Sequence, residues 1–204
     1  MISSYNGIPI YKAMLDSEDT GMVVVSLVDE PAVESEFLAF NKTERLQFQV
    51  QDEEQRKVLG VVAIPEKLIY RETVDGFPYY IKYEAATIHK MAERFFSNYN
   101  VNNVDTDHSF ELVDGVVLTQ AFFINRAKGI DPKGFEDMPD DTLMFEYHVT
   151  NDEIWAGIKE GQWKGFSLAG TFDVVPVELA KVKKTNVLDE IEGLVEKISN
   201  KIKQ

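Results

Sequence analysis

Thr150-Asn151-Asp152-Glu153-Ile154-Trp155-Ala156-Gly157-Ile158-Lys159-Glu160-Gly161 is followed, three residues on, by Gly165-Phe166-Ser167-Leu168-Ala169-Gly170. The first stretch predicts a short helix. Thr150 as N-cap and Glu153 at N3 make a capping box. Ile154, Trp155 and Ile158 supply an apolar face, and Gly161 stops it. The second stretch opens a strand expected over residues 166–175. A serine among small residues at the start of a strand presents its hydroxyl without steric cover, which suits a nucleophile if a histidine from another strand serves as base. On its own, G-F-S-x-x-G equally fits a small residue in a tightly packed strand. It is not the G-x-S-x-G elbow.

Working outward, strands dominate. Met22-Val23-Val24-Val25-Ser26-Leu27-Val28 is β-branched and reads as a buried strand ended by Asp29-Glu30-Pro31. Leu46-Gln47-Phe48-Gln49-Val50-Gln51 alternates and, through the polar turn Asp52-Glu53-Glu54-Gln55, pairs as a hairpin with Val58-Leu59-Gly60-Val61-Val62-Ala63-Ile64. Residues 79–83 and 116–124 predict further strands. A third, over 143–149, has Leu143, Phe145, Tyr147 and Val149 on one phase and Met144, Glu146 and His148 on the other. Ile88, Met91, Ala92, Phe95, Phe96 and Tyr99 mark a second amphipathic helix, ended by the Asn-rich stretch 98–103. Residues 126–141 form a long Gly-, Pro- and Asp-rich loop, and residues 1–20 read as an irregular arm. Leu188, Ile191, Val195, Ile198 and Ile202 are spaced 3, 4, 3, 4, predicting an amphipathic C-terminal helix over 186–203 beyond a lysine-rich linker. The fold class is α+β: a mostly antiparallel core over 21–180 with two helices, then the tail helix.

Composition excludes several functions. The 204 residues hold no cysteine, so disulfides, thiolate catalysis and Cys-based metal sites are absent; a reducing cytosol is compatible. The formal charge of −14 argues against nucleic-acid binding. No secretory signal fits the start, and the 22–28 run is far too short to span a membrane. No Walker or dinucleotide motif occurs, so no cofactor is expected. Asp105, Asp107, His108 and Glu111 lie close in sequence but have neither metallohydrolase nor calcium-loop spacing, so no metal is expected.

Three histidines are available as base. His89 faces away from the apolar stripe of its helix and reads as solvated. His148 falls on the polar phase of its strand. His108, in Asp105-Thr106-Asp107-His108-Ser109, reads locally as either an exposed turn residue or a base.

Four features together resemble the prohead proteases of tailed phages, in particular the serine-protease branch encoded near capsid genes in prophages. They are the 52–62 hairpin, the helix ending Ala92-Glu93-Arg94-Phe95-Phe96, the Asp107-His108 pair, and the block Glu153 to Gly161 leading into Lys164 to Gly170. The resemblance spans roughly residues 20–175 and implies a β-barrel like that of herpesvirus assembly proteases. It implies Ser167 as nucleophile and His108 as its base. The implied activity is a serine endopeptidase that cleaves scaffold and capsid segments during capsid maturation and processes itself. Its partners would be the major capsid and scaffold proteins, with self-association through the C-terminal helix. It would work inside the assembling procapsid in the bacterial host cytoplasm, with neither nucleic acid nor membrane as partner. The family's strand E-V-S-L-V-x-x-P, which carries an acidic third member after the serine, here matches Val24-Val25-Ser26-Leu27-Val28-Asp29-Glu30-Pro31. It lies before the core, as in a circular permutation, and puts Val24 at the acidic position. Valine cannot orient an imidazole. Either another residue serves (His148 in a Ser-His-His arrangement), or a dyad operates, or activity is weak. The alternative function is an inactive protease-fold scaffold or structural component of the procapsid.

Overall fold

The computed structural model describes residues 2–29, 49–52 (backbone alone) and 55–178. The expected tail helix over 186–203 lies outside the described residues, as does the start of the 46–51 strand. In chain order the strands begin with β1 (Ser4–Tyr5), β2 (Ile8–Met14), β3 (Gly21–Val28), β4 (Gln49–Asp52), β5 (Lys57–Ala63), β6 (Ile69–Glu72) and β7 (Pro78–Lys82). Helix α1 (Ala85–Ser97), β8 (Val104–Thr106), β9 (Val116–Phe123) and β10 (Leu143–Val149) follow. Helix α2 (Asp152–Glu160), β11 (Gly165–Thr171) and β12 (Asp173–Pro176) complete the described chain.

The architecture is mixed α+β, with two helices and three sheets. Among the described residues the sheets do not close into a barrel. One runs β1-β2-β7-β6 with β12 also on β2, one β4-β5-β10-β9, and one β11-β3-β8. The expected β4–β5 hairpin is antiparallel, but β2–β7 and β3–β8 are parallel.

Residues 1–20, expected to be an irregular arm, instead hold β1 and β2. Asn6 (φ 51°) and Gly7 (φ 81°) form the left-handed turn between them. Asn-Gly is the strongest short hairpin signal, and its backbone twist matches that of paired strands. Helix α2 also differs by one residue at its cap. Asn151, not Thr150, accepts from the Glu153 and Ile154 N–H groups at 3.0 and 3.1 Å. The Thr150 hydroxyl donates to the Gly115 carbonyl instead. Asparagine caps as well as threonine, and competition from Gly115 decides between them.

Helix α1 buries Ile88, Met91, Ala92 and Phe95 in the main core with Val25, Leu27, Phe145, Tyr147 and Phe166. Its stripe stops at the helix end, since Tyr99 is 88% exposed. Strand β10 lies between β5 and β9 and is covered on both faces. Its second phase is therefore not solvated: Met144 joins Leu59, Val61, Ile124 and Phe135 in a second cluster. Glu146 is held by Lys57 at 3.3 Å and by Thr119 and Gln120.

The strand expected over 166–175 breaks at Phe172 and changes sheets, β11 pairing with β3 and β12 with β2. A register shift at Ala169/Gly170 starts the break. A Cβ on Gly170 would sit 2.0 Å from the Gly21 carbonyl oxygen. Because the obstacle is backbone, no rotamer change relieves it. Gly170→Ala is expected to destabilise by about 3 kcal/mol, the upper end for overpacking, seen as a lowered urea midpoint. An unchanged midpoint would show that the bulge opens freely.

The Tyr147 hydroxyl is buried with no partner among the described residues. Burial pushes its ionisation well above the ordinary phenol range, and burial also pushes Tyr83 up to about 12. Both phenols lose their proton more readily in the unfolded chain. Stability is therefore full below about pH 10 and falls as pH rises beyond it. Tyr147→Phe is expected to stabilise by about 1 kcal/mol at neutral pH, because it removes an unsatisfied polar group, and to soften the alkaline loss. Urea midpoints at about pH 7 and about pH 11 check both effects.

Candidate active site

The three-stranded sheet builds the site. Its central strand, β3, is apolar except for Ser26, which has no solvent exposure. Ser26 stands opposite Ser167 of the antiparallel β11 and opposite Asp105 of the parallel β8. Directly paired residues share a sheet face, so Ser167, Ser26 and Asp105 form a row across three strands. Ser167 is 3% exposed and Asp105 fully buried.

His108 reaches over this row from the loop after β8. Its Nε2 lies 3.1 Å from Ser167 Oγ, and its Nδ1 lies 2.9 Å from Ser26 Oγ. In the tautomer with the proton on Nδ1, the ring donates to Ser26 and accepts from the Ser167 hydroxyl. Both serines are thereby satisfied, as buried hydroxyls require. His148, the substitute considered for the third position, stands on β10 in another sheet, and the ring nitrogen it would have engaged is taken by Ser26. His89 is not simply solvated: it stacks on Phe123 with centroids 3.8 Å apart and pairs with Asp141 at 2.9 Å.

The loop that carries His108 is conformationally costly. Asp107, His108 and Phe110 have φ of 53°, 57° and 58°. Non-glycine residues hold such values only where the surroundings over-determine them. Here the Phe110 N–H donates to Asp105 Oδ2 at 2.7 Å. The Trp163 indole donates to Asp107 Oδ2 at 3.2 Å. The Asp107 N–H donates to the Leu27 carbonyl at 3.0 Å, and the Ser109 N–H to the Thr106 carbonyl at 3.0 Å. Asp105 Oδ1 is left buried without a hydrogen bond. Asp105 and Asp107 are thus occupied with shaping the loop. Among the described residues no group of acidic and histidine side chains is gathered as a metal site.

The sequence singled out Ser167 and His108, which the structure brings within hydrogen-bond distance, but not Ser26 on the other ring nitrogen, the strand having been read two positions earlier at Val24. The available signal was the lone hydroxyl inside an apolar strand, because a buried polar group needs a partner.

A hydroxyl on one imidazole nitrogen, with the other nitrogen anchored by a fixed polar group, is the geometry that serine hydrolases use. The chain belongs to the family described as "Putative phage serine protease XkdF", whose model matches residues 45–176. His108 and Ser167 lie within that match and Ser26 before it. The chain is 29% identical over 177 residues to the phage-like element PBSX protein XkdF of Bacillus subtilis (strain 168), covering 76% of this chain and 55% of that protein. It therefore spans about half the length of that curated relative. No solved structure is a significant match.

Proposed function

We propose that the protein is a serine endopeptidase of phage capsid assembly that uses a Ser167–His108–Ser26 triad. The observation that carries this reading is the bracketing of one imidazole by two buried hydroxyls, at 3.1 and 2.9 Å. Ser167 Oγ attacks the scissile carbonyl as His108 Nε2 takes its proton. The C–N bond breaks, and the ring passes the proton to the departing amine. Water then attacks the acyl-enzyme by the same route in reverse. Ser26 accepts from Nδ1–H throughout and keeps Nε2 free to act as base. A neutral hydroxyl supplies orientation without the charge stabilisation an aspartate gives to imidazolium. An acidic residue at position 24 is not required by this arrangement.

The catalytic unit in this reading is residues 21–180, a permuted relative of the herpesvirus-type assembly proteases, with β2 built into its sheet between β7 and β12. Family membership and the relative's place in a phage-like element support an assembly role. The substrates proposed are segments of the major capsid and scaffold proteins, together with the enzyme's own chain, cleaved inside the procapsid in the host cytoplasm. Coexpression with the cognate capsid protein and mapping of new termini tests the role. New capsid termini that vanish with Ser167→Ala support it. Capsid chains that stay intact beside a fluorophosphonate-reactive Ser167 would move the enzyme to another substrate.

A further inference from the structure

A groove of about 510 Å³ opens beside the Ser167–His108 pair. Its walls include Arg71 and Tyr79, which are cross-strand partners on β6 and β7, with Phe110 from the histidine loop and Phe172 from the strand break. Arg71, Tyr83 and Leu168 also line the small cleft that contains Ser167, so the groove runs into the nucleophile.

The charge inside this groove is opposite to that of the molecule. The chain carries 35 acidic residues against 21 basic ones, yet among the described residues no acidic one lines the groove. Arg71 has no ion pair among the described residues. Its Nη1 donates to the carbonyl of its own neighbour Tyr70 at 2.9 Å, which among the described residues leaves most of its five N–H donors for a ligand. Its charge is nevertheless felt locally, drawing down the ionisation of the Tyr83 hydroxyl against the larger upward push of burial. A half-buried guanidinium between aromatic walls is a ready partner for a carboxylate, which it can grip with two parallel hydrogen bonds.

We propose that this groove is the subsite for an acidic side chain of the substrate peptide at the scissile bond, with the Arg71 guanidinium pairing its carboxylate. Tyr79, Phe110 and Phe172 would enclose the methylene stem. The inference rests on Ser167 being the nucleophile, and the test separates the two claims. The full chain is treated with a plain fluorophosphonate, then with a series of aminoalkyl phosphonate diphenyl esters bearing a glutamate, glutamine, leucine or lysine side chain, and labelling rates of Ser167 are compared. The glutamate probe is expected to label about tenfold faster than the glutamine probe, as loss of one charged pair implies. Arg71→Gln should bring that ratio close to one, and Arg71→Glu should favour the lysine probe. Equal glutamate and glutamine rates in a chain that the plain probe labels would overturn the subsite and leave the nucleophile standing. Failure of the plain probe to label Ser167 would overturn the catalytic reading and the subsite with it.

Discussion

Ser167→Ala is expected to eliminate fluorophosphonate labelling and lower peptide cleavage by about 10⁴-fold or more, the scale of losing a nucleophile that acts with its base as a unit. The fold should survive. The substitution removes one buried oxygen whose hydrogen bond is to His108, a change of about 1 kcal/mol, and alanine fits where serine did. His108→Ala should cost about as much, and the double variant no more than either single one, because nucleophile and base fail together. His89→Ala is the control. That ring is committed to Phe123 and Asp141, and cleavage should proceed normally. Processing by Ser167→Ala at the wild-type rate would make Ser167 a packing residue and assign the geometry of the pair to structure alone.

What the sequence made legible follows from the kind of information each element carries. Strands β3, β5 and β9 are written in local apolar runs, and their positions came out within a residue; the stripe of helix α1 was readable too, though the helix starts at Ala85, three residues before the Ile88 that opens the stripe. That Ser167 and His108 come together was legible through the order of blocks along the chain. Contacts fixed by tertiary pairing were not. Ser26 meets His108 only because β3 lies between β8 and β11, parallel to one and antiparallel to the other, an arrangement no local pattern encodes. The role of Gly170 is likewise set by the carbonyl of Gly21, far away in sequence. The polar phase of β10 misled because a central strand covered on both faces can still carry Glu146, provided Lys57, Thr119 and Gln120 compensate it. The β1–β2 hairpin is the opposite case: Asn6-Gly7 was a readable signal that the surrounding short strands obscured.

Ser26→Ala is the other large effect expected, a fall in the maximal cleavage rate on the order of 10²-fold, short of the roughly 10⁴ that follows loss of a tautomer-setting carboxylate. The argument turns on what Ser26 can and cannot supply. In the proposed triad its Oγ, 2.9 Å from Nδ1, holds the ring in the tautomer that leaves Nε2 basic. It carries no charge, so its removal costs orientation and not electrostatic stabilisation. The loop conformation should persist, because the bonds of Asp105 to Phe110 and of Trp163 to Asp107 do not involve Ser26. Substrate affinity should then be nearly unchanged, with the loss in kcat and in the fluorophosphonate labelling rate alike. A purely structural serine would instead lower the melting temperature while leaving kcat of the folded fraction intact. Coupling gives a sharper check. In a His108→Ala background there is no ring left to orient, so adding Ser26→Ala should change residual activity by less than about twofold. Independent losses that multiply in the double variant would show that Ser26 acts elsewhere than through His108.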